Sequence, residues 1–314
     1  MLVAITGGTG FIGRALVHAH TKRGDHVRIL SRHPHNYPAL DGVTLYRGDL
    51  ISSVDLLSQF VDGVDILYHC AGEIRNQDNM FPVHVTGTKN LCAAASGKIG
   101  HWVQLSSVGA YGPQAGGVVT EETPLNPAGT YEITKTGADQ IVLNASKEGA
   151  FSYSILRPSN VYGPDMTNRS LFLMIEMIKK GLFFFIGRPG ASANYIHVAN
   201  VVEALMLCGS TPSSKEKMYN LSDHSILEVF VAVIADELGC PSPTLRLPER
   251  PLRWLSKIFG SIPGFPLSSS RIDAMTNRSL YSIQRIQSDL GYAHVMSMEE
   301  GIRQLVRAWK QSKG

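Results

Sequence analysis

Tyr131 and Lys135 stand four residues apart in the run TYEITKTGADQIVLNASKE, whose pattern predicts a helix over 130–148. Residues at that spacing share one helix face, about one turn apart. A phenol beside an ammonium is a proton-transfer pair. The positive charge favours the phenolate, so Tyr131 is expected to have a depressed pKa and to exchange a proton with a carbinol or carbonyl oxygen near neutral pH. Tyr and Lys are both common on helix surfaces, so the spacing alone carries little. Order gives it meaning: a glycine-rich turn near the start of the chain comes first, then Ser107 at the carboxyl end of an expected strand, WVQLSS, then the pair.

The glycine turn lies in LVAITGGTGFIG, residues 2–13, where a short apolar run passes into glycines and then opens a helix. Gly8, Gly10 and Gly13 match G-x-G-x-x-G, and Gly7, Gly10 and Gly13 match the spacing T-G-x-x-G-x-x-G. Gly7 and Gly8 are expected to turn the chain at positive φ, Gly10 to let a pyrophosphate approach, and Gly13 to let helix and strand pack closely. With Thr9, Phe11 and Ile12 the turn presents free N–H groups at a helix N-terminus, where the macrodipole favours negative charge. These residues therefore predict a dinucleotide site. Lys135 gains a second use there, holding the nicotinamide ribose hydroxyls and so fixing the hydride donor.

The elements that must position these groups can be read from the pattern. After the first helix, HVRIL (26–30) is expected to be the second strand, and it ends at Ser31 and Arg32 instead of an acid. An acid there would bind ribose hydroxyls and repel a 2′-phosphate, whereas a guanidinium pairs with one bidentately, so NADP is expected over NAD. A solvated surface arginine is the plain alternative. VTLYRGDL (43–50) follows, with Asp49 either accepting from the adenine amino group, Leu50 packing on the ring, or capping the next helix. Helix 52–61 should bury Leu56, Leu57 and Phe60, and DILYHC (65–70) leads to Ala71 and Gly72 at a strand's carboxyl end, where open α/β sheets bind ligands. A helix from Phe81 to about Ser96 precedes WVQLSS, a long Gly- and Pro-rich loop at 108–129 is expected to line the site, and FSYSILRP (151–158) is a further strand. Short apolar strands alternating with helices predict an α/β fold, a doubly wound parallel (Rossmann) sheet with a smaller, mainly helical C-terminal substrate lobe. The expected division is 1–164 and 165–314, with a soft boundary near Pro164 that the chain can cross.

Composition narrows the function classes. A net charge of +3 over 314 residues, without a basic segment, gives no support for nucleic acid. Cys70, Cys92, Cys208 and Cys240 lie apart without metal-ligand spacing, so no metal site or disulfide framework is expected and a reducing cytoplasm fits. A first strand beginning at Leu2 leaves no room for a signal peptide, and the most apolar windows are broken by charge, so no stable membrane insertion is expected. The stretch Leu252–Leu267 mixes Trp254, Leu255, Ile258, Phe259 and Ile262 with Arg253 and Lys257, which suits a lid or core helix or, alternatively, a membrane-surface helix for a lipid-like substrate.

The motifs TGGTGFIG, GDL (48–50), VTGTKNL (85–91), LSSVGAYG (105–112), YEITK (131–135), LRPSNVYGP (156–164) and YIHVANV (195–201) together resemble the extended short-chain dehydrogenase/reductase family, the NAD(P)-dependent epimerase/dehydratase group, over nearly the whole chain. The resemblance implies that Tyr131 is the acid/base, that Lys135 lowers its pKa and binds ribose, and that Ser107 donates to the substrate oxygen, with Ser106 a neighbour only. It also implies that Pro158 to Tyr162, including Asn160 and Val161, support the nicotinamide. The sequence departs from the family at His84, where an asparagine is frequent, and a structural role is expected. It departs again at Ala193-Asn194, where nucleotide-sugar members often carry Arg-Asp, which weakens a UDP-sugar reading. Arg188 and Arg278 remain available for an anionic substrate, and Tyr195 and Asn160 for further substrate contacts. The expected function is NADP-dependent hydride transfer to or from a secondary alcohol or ketone of a sugar-type or dihydroflavonol-like substrate. The alternatives are a nucleotide-sugar epimerase or dehydratase that retains its cofactor, and a dinucleotide sensor without turnover. Helices 81–96 and 130–148 could supply a four-helix homodimer face.

Overall fold

Residues 1–51, 53–114, 116–259 and 269–313 are described by a computed structural model of the chain. Seven strands, β1 (Leu2–Thr6), β2 (His26–Ser31), β3 (Val43–Arg47), β4 (Val64–His69), β5 (Ile99–Leu105), β6 (Ser152–Pro158) and β7 (Lys217–Leu221), form one sheet in the order β3-β2-β1-β4-β5-β6-β7. Every pairing in it is parallel. Parallel strands need crossovers, and the crossover helices cover both faces, so alternate side chains feed two separate cores. Val3, Ile5, Ile66, Tyr68 and Val103 face α1 (Phe11–Lys22) and a helix at Val198–Ser210. Ala4, Leu67 and Trp102 face α2 (Val54–Val61), α3 (Gly87–Ala95) and α4 (Thr130–Lys147). The strand order reverses between β1 and β4, and a crevice opens there at the carboxyl ends of the strands.

Several local expectations change in the structure. The seventh strand, KMYNL, was not foreseen, because five residues mixing Lys217 and Asn220 with three apolar ones carry no clear period. Helix α2 begins only at Val54, after Ser53, and its rotation leaves Leu56 exposed while Leu57, Phe60 and Val61 are buried. The helix expected from Phe81 to Ser96 is three pieces: Gln77–Phe81, a π-helical turn at Pro82–Thr86, and α3.

A second lobe is built on a three-stranded sheet in which Ser192–His197 pairs parallel with Asn160–Tyr162 and antiparallel with Asp223–Ile226. Helices Ser170–Lys179, Leu227–Leu238 and Met298–Gln311 pack around Ile175, Phe230, Ile234, Ile302 and Trp309. The last of these starts at Ser297, whose hydroxyl accepts from the Glu300 N–H at 3.3 Å. Residues beyond Pro164 do not all stay in this lobe, since Val198–Ser210 and β7 return to the large sheet. Helix Glu249–Phe259 buries Leu252 against Ile186 and Ile272, with Trp254 exposed; Ile262 and Leu267 of that stretch lie outside the described residues. The loop after Ser107 winds into a 3-10 turn (Val108–Tyr111) and a short strand (Gly117–Val119) that pairs with Ser279–Tyr281. Among the described residues no helix is long and apolar enough to cross a membrane.

Candidate active site

The glycine turn follows β1 directly, and steric contact explains its composition. Gly7 has φ 70°, and a Cβ on it would lie 2.7 Å from the Ala71 nitrogen. Gly8 differs from expectation: its φ is not positive, and it is small because a Cβ would press on Ile29 at 2.9 Å. The Gly10 N–H closes the turn on the Gly7 carbonyl at 2.9 Å, and a Cβ on Gly13 would meet that same oxygen at 2.1 Å. Helix α1 then begins with no side-chain cap and no acid in its first turn. Such a cradle of open N–H groups without a competing carboxylate fits a diphosphate. Gly13→Ala is expected to cost roughly 1–3 kcal/mol in overpacking and to weaken dinucleotide binding about tenfold or more, read by nicotinamide fluorescence beside a urea melt. Unchanged affinity would separate the turn from the ligand.

Two adjoining cavities share Gly7, Gly10, Ala71 and Gly72. The first, about 720 Å³, is lined by Phe11, Ile12, Gly13, Ser107, Tyr131, Lys135, Pro158, Asn160 and Val161 among others. The second, about 540 Å³, is lined by Thr9, Arg14, Ser31, Arg32, His33, Asp49 and Leu50 among others. Every residue expected at the cofactor thus lines this cleft except Gly8 and Tyr162, the latter buried in the second lobe's core. Asp49 is not a helix cap, since α2 starts after Ser53; its Oδ1 accepts from the Ile51 N–H at 3.4 Å.

Ser107, Tyr131 and Lys135 meet in the first cavity although they come from different elements. Ser107 follows β5 in extended backbone, and its Oγ accepts from the Gly109 N–H at 3.0 Å. Because that oxygen is used as an acceptor, its own proton is available to a substrate oxygen. Ser106 also lines the cavity, but its hydroxyl is committed, donating to Asp139 Oδ2 at 2.7 Å. The Lys135 Nζ is buried and donates to the Leu105 carbonyl at 2.6 Å, which fixes the ammonium behind the cavity. Burial lowers its pKa from the usual lysine value.

Tyr131 corrects the expected electrostatics. Burial pushes its phenol up to about 12, with the Glu132 and Asp139 carboxylates adding to the rise. Desolvation of the phenolate outweighs any help from Lys135, so in the protein alone Tyr131 holds its proton at neutral pH and is poised to give it up. Its ring is met edge-on by His84, with centroids 5.6 Å apart. The His84 Nε2 accepts from the Glu73 N–H at 2.9 Å, so Nδ1 carries the proton and donates to Thr134 Oγ1 at 2.8 Å. Thr134 donates in turn to the Thr130 carbonyl at 2.8 Å. Burial and the Lys135 charge hold His84 down to about 4, which keeps it neutral. It is a structural bridge from the wall after β4 to the helical turn that carries Tyr131. Behind the site, Arg157 Nη2 lies 3.2 Å from Asp139 Oδ2, both almost fully buried, and Arg157 Nη1 donates to the Tyr111 hydroxyl, which donates to Asn220 Oδ1 at 2.7 Å.

The expected substrate contacts fare differently. Arg278 donates to the carbonyls of Arg188 and Pro189 at 2.9 and 2.8 Å, and neither Arg278 nor Arg188 lines the cleft; the guanidinium is consumed in tying two surface segments together. Tyr195 stacks on Phe230 at 4.8 Å in the second lobe's core, because its strand is central in that sheet. Asn160 does line the catalytic cavity. Ala193 and Asn194 are buried, and the Asn194 amide donates to the Ser279 carbonyl. Sequence reasoning missed Arg75 and Arg169, which line the catalytic cavity from loops without periodicity. Their one readable signal is position, just beyond Gly72 and just beyond the LRPSNVYGP motif.

The comparisons agree with this geometry. The chain is 25% identical to the UDP-glucose 4-epimerase of Vibrio cholerae over 99% of its own length and 96% of that protein's. It is 25% identical to the 2-alkyl-3-oxoalkanoate reductase of Shewanella oneidensis, covering 96% of this chain and 84% of the relative. A short-chain dehydrogenase/reductase superfamily protein from Agrobacterium tumefaciens, solved with bound NAD, superposes with a TM-score of 0.78 at 21% identity, covering 100% of this chain and 98% of that one. A family model described as NAD dependent epimerase/dehydratase matches residues 3–222. With that match laid over the glycine turn, Ser107, Tyr131 and Lys135, the chain belongs to the NAD-dependent epimerase/dehydratase family of extended short-chain dehydrogenases/reductases, and it is an NAD(P)-dependent enzyme of that group.

Proposed function

We propose that the protein is an NADP-dependent reductase that converts a ketone into a secondary alcohol. The observation that carries this reading is the protonated Tyr131 phenol beside a Ser107 hydroxyl whose proton is uncommitted, both in the cavity that shares the glycine turn. A dinucleotide bound along the cleft supplies hydride at its nicotinamide. Ser107 then donates to the carbonyl oxygen and orients it, and Tyr131 passes its proton to that oxygen as negative charge develops there. Lys135, anchored on the Leu105 carbonyl, has two further N–H groups for the ribose hydroxyls and for steadying the phenolate left behind.

NADP is favoured by Ser31, Arg32 and His33 at the end of β2, with Arg14 facing the same cavity. Arg32→Ala is expected to raise the dissociation constant for NADPH about tenfold while leaving that for NADH unchanged. Equal effects on both would place the guanidinium away from a 2′-phosphate. The ketone is a sugar-type, dihydroflavonol-like or oxoalkanoate compound, the last suggested by the name of the Shewanella relative.

A second reading, a nucleotide-sugar epimerase that keeps its cofactor, is favoured by the name of the Vibrio relative. It is disfavoured by the buried Ala193 and Asn194, which offer no guanidinium to a diphosphate. Steady consumption of added NADPH with a ketone panel supports the reductase; tightly retained dinucleotide with no net consumption supports the epimerase. We further propose a homodimer through α3, α4 and the turn before them, where Phe81 and Ile133 are exposed apolar residues. Sedimentation of wild type against an Ile133→Glu variant tests it.

A further inference from the structure

We propose that Arg75 and Arg169 form an anion-binding subsite beside the catalytic phenol, so that the ketone reduced here carries a carboxylate or phosphate group. This rests on the reductase reading. The cavity holding Ser107 and Tyr131 is lined by three cationic side chains, Arg75, Lys135 and Arg169, and by no Asp or Glu. The adjoining cavity, by contrast, is lined by both Asp49 and Glu73. No carboxylate lines the catalytic half, although Glu132 and Asp139 lie close enough to raise the Tyr131 phenol.

Lys135 is anchored on a main-chain carbonyl, but the two arginines are exposed and their guanidiniums form no ion pair among the described residues, although the Arg75 main-chain N–H donates to Glu73 Oε1 at 2.7 Å. Arg23, Arg157, Arg246, Arg253 and Arg303 are each paired with an acid, whereas Arg28 and Arg278, like these two, donate to main-chain carbonyls or lack an ion pair. Arg75 Nη2 donates to the Thr167 carbonyl at 3.2 Å, which draws the loop after β4 onto the segment that carries Arg169 two residues later. Arg75 and Arg169 therefore line one cavity from two chain segments that this bond holds together. Arg169 also immediately precedes helix Ser170–Lys179, which has no acid in its first turn, so the helix end adds to the positive field. Planar guanidiniums suit carboxylate and phosphate oxygens, and an anion held there places the rest of the molecule toward Ser107 and Tyr131. The glycine turn lines the same cavity, so the dinucleotide's own diphosphate is the competing anion, and the NADP⁺ dissociation constants measured below separate the two.

The test uses the full chain saturated with NADP⁺ and titrated calorimetrically with 3-oxodecanoate, its methyl ester and dihydroxyacetone phosphate. The wild type, Arg75→Ala and Arg169→Ala are compared, and the dissociation constant of NADP⁺ is measured for each. The acid or the phosphate is expected to bind at least about tenfold more tightly than the neutral ester, and each substitution to remove about tenfold of the anion's affinity only. Which anion gains more identifies the group. Equal binding of acid and ester, no binding of either anion, or a parallel loss of NADP⁺ affinity in the variants overturns the subsite. Because this readout is binding, it stands apart from turnover: loss of the reductase reading would show in Tyr131→Phe kinetics, not here.

Discussion

Tyr131→Phe is expected to lower kcat/KM for ketone reduction by about a hundred- to ten-thousandfold while leaving dinucleotide affinity nearly unchanged. The substitution removes one hydroxyl and keeps the ring that packs edge-on against His84, so the helical turn is preserved. What disappears is the proton donor for the developing alkoxide. A dinucleotide sensor would show no change in function, and retention of full turnover in the variant would remove Tyr131 from the chemistry. The direction of the pKa shift adds a pH signature. With the phenol pushed up to about 12, reduction should keep its acid form throughout the neutral range and lose rate only in strong alkali. The reverse oxidation needs phenolate and should rise with pH over the same interval. Both limbs are read from kcat/KM profiles with reduced and oxidised dinucleotide; a reduction rate falling through neutrality would show that Lys135 controls the phenol after all.

The second large effect concerns stability. Asp139→Ala leaves the Arg157 guanidinium, only 1% exposed, without its carboxylate, and should destabilise the fold by about 3–5 kcal/mol in a urea titration. The cost arises mainly from stranding a charge that water cannot reach. A double replacement, Asp139→Leu with Arg157→Met, should recover most of the loss, since apolar side chains of similar volume remove both charges together. Ser106 also loses its acceptor in the single variant, and because it adjoins Ser107, a fall in activity should accompany the fall in stability. A change below about 1 kcal/mol would show that the pair is neutral to folding.

Much of the site was legible because its signals are local. The glycine spacing, the four-residue step from Tyr131 to Lys135, and Ser107 at a strand end each follow from covalent neighbours and a helix repeat. What escaped depends on burial or on distant chain. The pKa of Tyr131 could not be read from Lys135 alone, since the lysine's carbonyl anchor and the dry surroundings belong to the tertiary structure. Arg188 and Arg278 looked available because a sequence does not show that one guanidinium is spent on its neighbour's backbone. Arg75 and Arg169 lie on irregular loops, where no period announces which way a side chain faces. Gly8 lies in the turn, but without the positive φ a glycine spacing suggests, and its smallness answers to Ile29.

The late arrival of β7 has a consequence for biosynthesis. Ile155 and Arg157 of β6 pair with Met218 and Asn220, some sixty residues further along. As the polypeptide leaves the ribosome, the nucleotide-binding half is therefore translated with one flank unzipped, and the hydroxyl of Tyr111 awaits its amide partner until Asn220 emerges. A chain ending at Pro164 would keep β6 as an uncovered sheet edge, and it is expected to be less soluble on expression than the full chain.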